Sequence, residues 1–143
     1  MKRSLDTTVL IAGLHRGHKM HEAAIPWLEN AAKSPENYAV CQHGLAEAYS
    51  VLTNAPASIR VTPLVASQLI HDLKLAIVPI DPEDYKEAIT RLAAGGLPGG
   101  IIYDMLHAIA AEKFGAEQLV TANESDFVRL PLNRVIKIVA LSI

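Results

Sequence analysis

The chain has 143 residues, half of them hydrophobic and a fifth charged, with a formal net charge of −2. This composition excludes a disordered chain, and the length suits one domain spanning residues 1–143 that buries about two thirds of its unfolded surface. No apolar run reaches the length of a membrane span, the slight negative charge gives no global attraction to nucleic acid, and a lone cysteine, Cys41, cannot form an internal disulfide, which suits a reducing, cytoplasmic setting.

The N-terminal stretch MKRSLDTTVLIAGL joins a basic start to an apolar run, but Asp6 interrupts it and no convincing cleavage site follows. It therefore predicts a buried strand over 3–5 and a helix over 8–14 rather than a secretion signal. A helix follows over 20–33, then a strand over 38–41 and a helix over 42–53. After a turn region at 54–60 come a helix over 62–73, a strand over 75–80 and a helix over 82–94. The glycine-rich GGLPGG at 95–100 leads into a helix over 103–114, a strand over 118–121, a short helix near Asp126 and a strand over 135–139, with a short extension near Leu141. Apolar strands alternating with helices predict an α/β fold of three layers, α/β/α, around a mostly parallel sheet of about five strands.

Most of the fifteen acidic residues have ordinary explanations. Asp81 before Pro82, with Asp84 three residues on, is a helix N-cap signature. Glu22, Glu29, Glu36, Asp72, Glu112 and Glu117 fall at polar helix or loop positions. Four acids resist this sorting. Asp6 directly follows the first strand, Glu47 lies within the apolar GLAEAYSVL, and Asp104 opens the alanine-rich helix of GGIIYDMLHAIAAEKFG, while Asp126 follows the strand of LVTANESDF, with Glu124 as a lesser neighbour. Asp104 shares a helix face with Ala108 and Ala111, small residues that predict close packing; complementing the helix dipole is the alternative reason for its place.

In right-handed strand-helix units each helix starts where its strand ends, so all four acids are predicted at the carboxyl edge of the sheet, where open α/β folds place their sites. Like charges about 4 Å apart repel by roughly 4 kcal/mol at an effective dielectric near 20, a penalty that a divalent cation removes. Oxygen-only ligands select Mg2+ or Mn2+ over zinc, and such an ion suits phosphodiester hydrolysis. Four unrelated structural acids remain the competing explanation on spacing alone.

The segments SLDTTVLIAGL, GLAEAYSVLT and YDMLHAIAAEKFGAEQLVTANESDF, in this order and spacing, resemble a PIN-domain ribonuclease, most of all the VapC-type toxins of bacterial toxin-antitoxin modules. The resemblance covers nearly the whole chain. It implies a PIN-like fold and a metal-dependent endoribonuclease toxin, in which Asp6, Glu47 and Asp104 hold Mg2+ or Mn2+ with Asp126 as the fourth acid. Thr121 matches a position that orders the pocket, and Thr7 and Thr8 match the small polar residues that hold carboxylates or a phosphate. Asn123 stands where many relatives have Asp and can offer its carbonyl oxygen to an ion or orient a water. A cognate antitoxin protein and a homodimer are likewise implied.

HRGHKMH at 15–21 places Arg16 and Lys19 beside the expected site, where they form part of an RNA-facing surface or a solvated loop. A zinc cluster there lacks a convincing partner pair, Cys41 and His43 being only a loose second half. His107, one turn after Asp104, reads as a general acid or as a packed helix histidine, and Trp27 as core or partner-binding. Two other classes compete with the nuclease. One is a catalytically inert PIN-like module that binds RNA or protein. The other is a haloacid-dehalogenase-type phosphotransferase, which would want an Asp where the chain has Thr8; a phosphoacceptor receiver fares no better, since Asp81 is explained as a cap.

Overall fold

Five strands of three or four residues frame the computed structural model, which describes residues 1–142. They are β1 (Arg3–Leu5), β2 (Tyr38–Cys41), β3 (Ala76–Val78), β4 (Gln118–Thr121) and β5 (Lys137–Ala140). All pair in parallel, in the order β3-β2-β1-β4-β5. Parallel neighbours cannot be joined by a tight hairpin, so the connections are crossovers. Among the described residues these hold seven α-helices: α1 (Thr7–Leu14), α2 (His21–Lys33), α3 (Gln42–Thr53), α4 (Pro63–His71), α5 (Pro82–Ala94), α6 (Ile101–Phe114) and α7 (Glu124–Phe127). A 3-10 turn at Pro35–Asn37, not expected from the sequence, leads into β2.

The pleat of each strand divides its side chains between two cores. Tyr38 and Val40 of β2 join Leu5, Val9, Leu10 and Val120 on one face of the sheet. Ala39 and Cys41 join Met105, Leu106, Ile109, Leu119 and Phe127 on the other. Helices α1 and α2 cover the first face and α5 and α6 the second, which gives the predicted three layers. Helix α6 is the most enclosed: every residue from Met105 to Glu112 is buried. It stops at Gly115, whose φ of 75° lies in the left-handed region that glycine enters without a Cβ penalty. Helix α5 starts on the predicted cap, with Asp81 and Asp84 each accepting the other's backbone N–H at 2.9 Å.

Several boundaries differ from the sequence reading. Strand β3 ends at Val78 because Pro79, lacking an N–H, cannot continue the ladder. Helix α6 begins two residues earlier than expected, at Ile101, which is only 6% exposed; burial rather than a side-chain cap fixes that start. Strand β5 is displaced to Lys137–Ala140, and the expected extension survives as one bond from the Leu141 N–H to the Thr121 carbonyl at 2.8 Å. Glu112 departs most from its reading as an ordinary polar-position acid. It is 7% exposed, accepts from Arg91 Nη1 at 2.8 Å, and accepts the Asn133 N–H through its other oxygen, so it clamps the C-terminal segment to α5 and α6.

The topology positions the site. From β1 the chain moves outward to β2 and β3, then crosses back to β4 on the other side of β1. The carboxyl ends of β1 and β4 therefore flank the switch point, where α/β sheets leave a crevice.

Candidate active site

Asp6 lies at the end of β1 and caps α1; it is 3% exposed. Its Oδ1 accepts the Thr7 N–H at 2.7 Å, and its Oδ2 accepts the hydroxyls of Thr8 and Thr121, both at 2.8 Å. Its own N–H donates to the Val120 carbonyl at 2.9 Å, tying the ends of β1 and β4 together. Thr8 Oγ1 accepts from the Ala122 N–H at 3.0 Å and Thr121 Oγ1 from the Asn123 N–H at 2.9 Å. A carboxylate held by three donors, two of them held in turn, has one orientation available to it.

Glu47, in the second turn of α3, is fixed from the opposite side. Its Oε1 accepts from the Thr7 hydroxyl at 2.9 Å and from His107 Nε2 at 2.7 Å. His107, on α6 and 1% exposed, also places Nε2 3.8 Å from Asp6 Oδ1. Its Nδ1 is buried without a hydrogen-bond partner, so the ring's polar commitment runs through Nε2, the donor to Glu47. Burial opposes ionisation of both groups, but their mutual hydrogen bond and charge outweigh it. Glu47 is held below the usual carboxylate range and His107 is raised, with Asp6 adding to the latter shift. Gly44 makes the approach possible: a Cβ there would sit 3.1 Å from both His107 Cε1 and Thr7 Oγ1.

Asp104, in the first turn of α6, is the acid with a strongly altered environment. Burial first, then the charges of Asp6 and Asp126, push its carboxyl up to about 6; Glu47 adds to the shift and His107 opposes it. Asp126, on α7, lies 3.8 Å from Arg129 Nη2. The charges of the other three acids thus all act on Asp104.

The residues present fit a hard divalent cation by donor chemistry. The site is anionic and its acids offer only oxygen donors, and the raised Asp104 carboxyl marks negative charge that His107 offsets only in part. Among the described residues no three His, Cys, Asp or Glu side chains enclose an ion position by themselves; Glu47 is hydrogen-bonded to His107 and Asp6 to its threonines. Magnesium does not need such a cage, since it keeps several waters and binds through one or two carboxylates.

Of the other predicted residues, Thr7, Thr8 and Thr121 are all in contact with the acids. Asn123 is exposed and lines a cleft of about 390 Å³ with Thr8 and Lys19. Arg16 is exposed on the same loop. The loop histidines hold backbone: His15 binds the Ile59 carbonyl and accepts the Gly17 N–H, His18 accepts the Met20 N–H, and His21 binds the Ala12 carbonyl. They brace the loop rather than gather around a metal. Trp27 packs against the first core, with the Arg3 guanidinium 5.7 Å from its ring. One feature of the site escapes sequence reasoning altogether. His43 of α3 and Tyr103 of α6 stack at 5.4 Å between centroids and 8° between planes, beside Glu47 and Asp104. The residues are far apart in the chain, and the only local signal is an aromatic residue directly before Asp104.

The sequence pattern of the PIN domain matches residues 4–132, a span that contains all four acids. Ribonuclease VapC27 of Mycobacterium tuberculosis is 34% identical over 114 residues, 80% of each chain. Ribonuclease VapC40 of the same organism is 31% identical over 115 residues, 80% of this chain and 81% of that one. Among solved structures, VapBC2 from Rickettsia felis bound to a promoter DNA fragment aligns with a TM-score of 0.70 at 22% identity, covering 99% of this chain and 100% of that one. DNA-bound VapBC from Salmonella typhimurium aligns with a TM-score of 0.69 at 20% identity, covering 99% of both chains. The fold, the sheet-edge acids and the extent of these matches agree, and the chain belongs to the PIN domain family.

Proposed function

We propose that this protein is a Mg2+- or Mn2+-dependent endoribonuclease, the toxin of a toxin-antitoxin pair. In this reading it is one PIN-like domain over residues 1–143 that acts in the cytoplasm as a homodimer, hydrolyses RNA phosphodiester bonds and is inhibited by a cognate antitoxin. The observation that carries the reading is that Asp6 and Glu47 meet on the same Thr7 and His107, where burial and the charges of Asp6, Asp126 and Glu47 push the Asp104 carboxyl up to about 6. The curated relatives carrying the name ribonuclease support it.

Asp6, Glu47, Asp104 and Asp126 would hold the ion, which when bound supplies charge neutralisation at a phosphate and acidifies an attacking water. The remaining groups prepare that arrangement. Thr8 and Thr121 aim Asp6, while His107 and Thr7 aim Glu47 and keep it a carboxylate. Lys19, lining the cleft beside Thr8, draws in the RNA backbone, with Arg16 on the same loop extending the cationic surface. Asn123 offers a neutral amide at the mouth of that cleft, where it can orient a water or a phosphate.

A second reading, an inert module that binds RNA or protein, draws on the same Asn123 and on the absence, among the described residues, of three side chains that enclose an ion position. Titration of the antitoxin-free protein with Mg2+ and Mn2+ against structured and single-stranded RNA separates the two. Cleavage that requires the ion and disappears in Asp104→Asn supports the nuclease. RNA retention with no cleavage at any metal concentration supports the module.

A further inference from the structure

We propose that the Tyr103–His43 pair is a base-stacking subsite, on which an unpaired nucleobase of single-stranded RNA lies next to the phosphate being cut. The inference rests on the ribonuclease reading and deepens it by assigning how the strand is gripped.

The two rings are parallel within 8°, with centroids 5.4 Å apart, so His43 backs one face of Tyr103 and restricts its tilt. Tyr103 is nevertheless 51% exposed, which leaves its other face open to a ligand. The rings border a cleft of about 380 Å³ that is also lined by Ala46, Glu47 and Val51. Asp104 directly follows Tyr103 on α6, so a base on this ring and a phosphate at the acids would belong to neighbouring nucleotides. A second cleft, which shares Val51 with the first and holds Lys19, Thr8 and Asn123, offers the cation and polar donors a phosphate backbone needs. One cleft with an aromatic wall and one with a cation, meeting at Val51, match the recognition of single strands, in which stacking grips bases without selecting strongly among them.

The test uses full-length, antitoxin-free protein and a single-stranded RNA oligonucleotide containing a mapped cleavage site. Binding is measured in the Asp104→Asn background and cleavage in the wild-type background. Stacking on one base predicts that Tyr103→Ala weakens binding about 5- to 100-fold. Tyr103→Phe, which keeps the ring, restores most of that loss, and His43→Ala gives an intermediate loss. An RNA with an abasic residue beside the cleavage site erases the difference between Tyr103 and Tyr103→Ala; 2-aminopurine at that position loses fluorescence on binding only when the ring is present. The subsite is refuted if Tyr103→Ala binds within twofold of its parent, if Phe is as damaging as Ala, or if the loss persists on abasic RNA. If those results accompany metal-dependent cleavage by the wild type, the stacking subsite alone fails. A wild type that neither binds nor cuts RNA overturns the ribonuclease reading and the subsite together.

Discussion

His107 Nε2 stands 2.7 Å from Glu47 Oε1 across the junction of α3 and α6, and this bond, reinforced by the Thr7 hydroxyl, sets where the Glu47 carboxylate points. Replacing His107 by Leu removes the donor while filling much of its volume, so Glu47 is released to adopt other rotamers. Losses of groups that orient a ligating residue commonly cost 10- to 100-fold. Single-turnover cleavage is expected to slow by about that factor in His107→Leu and to recover in part in His107→Gln. Equal rates for wild type and the Leu variant, with circular dichroism unchanged, would remove His107 from any positioning role.

The same cluster gives the metal-free protein an unusual pH dependence. Asp104 titrates at about 6 in the folded chain against 3.8 in its ordinary state. The folded state therefore binds this proton more tightly, and stability falls as pH rises between those values. His107, raised above 6.5, contributes stability that is complete below 6.5 and is lost as pH rises through its folded value. Glu47, lowered from 4.5, contributes stability present above 4.5 and lost as pH falls through its folded value. Stability in chelator is thus expected to be highest near pH 4.5, where Glu47 still contributes and Asp104 has lost least, and to fall toward a lower Tm at pH 8 that added Mg2+ recovers. A Tm that holds level or climbs from pH 6 to 8 in chelator would contradict this account.

Asp104→Asn removes one charge from the cluster while keeping nearly the same shape. In chelator at pH 8 the variant is expected to melt higher than wild type by a few degrees, corresponding to about 1 kcal/mol after allowing for solvent screening. Added Mg2+ should then narrow the gap, because only the wild type regains a ligand. A variant that melts lower than wild type in chelator would mean that Asp104 is satisfied by its protein surroundings.

These groups differ in how far the sequence betrays them. Asp6, Glu47, Asp104 and Asp126 could be read because each breaks a local rule, an acid at an apolar strand end or inside an apolar helix, and chain order alone places such acids at one sheet edge. The strands and most helices were legible for the same reason: apolar periodicity is local. What could not be read depends on pairing across the fold. Glu112 looks like any helix-surface acid until Arg91 and the Asn133 N–H meet it. The His43–Tyr103 stack joins two helices with no shared pattern. The start of α6 at Ile101 is not legible because Gly100 has no side chain to cap it and burial, a tertiary effect, decides it.

The Glu112 clamp gives a stability prediction remote from the acids. Glu112 and Arg91 pair at 2.8 Å with side chains 8% and 13% exposed. Removing Glu112 leaves the enclosed Arg91 with Glu87, at 2.8 Å, as its remaining carboxylate and strips the Asn133 N–H of its acceptor; breaking such a pair typically costs about 3–5 kcal/mol, and Glu87 holds the cost to the low end. Glu112→Ala is expected to lower urea stability by about 3 kcal/mol, while cleavage per folded molecule is unchanged. A loss under 1 kcal/mol would show that water replaces the clamp readily.

Gly44 separates stability from site geometry. In helix α3 an alanine gains about 1 kcal/mol of helix propensity over glycine. Its Cβ, however, would stand 3.0 Å from Val40 Cγ2 and 3.1 Å from His107 Cε1 and Thr7 Oγ1, closer than those atoms accept without moving. The two terms oppose each other, so Gly44→Ala is expected to change Tm by no more than a few degrees. The His107 ring and Thr7 hydroxyl must still give way, and both hold Glu47. Cleavage should therefore fall by about tenfold with kcat carrying the loss and KM nearly constant, since the RNA-facing clefts keep their lining. A Gly44→Ala enzyme with normal kcat would show that the Glu47 network tolerates displacement, and the case for precise positioning by His107 would weaken with it.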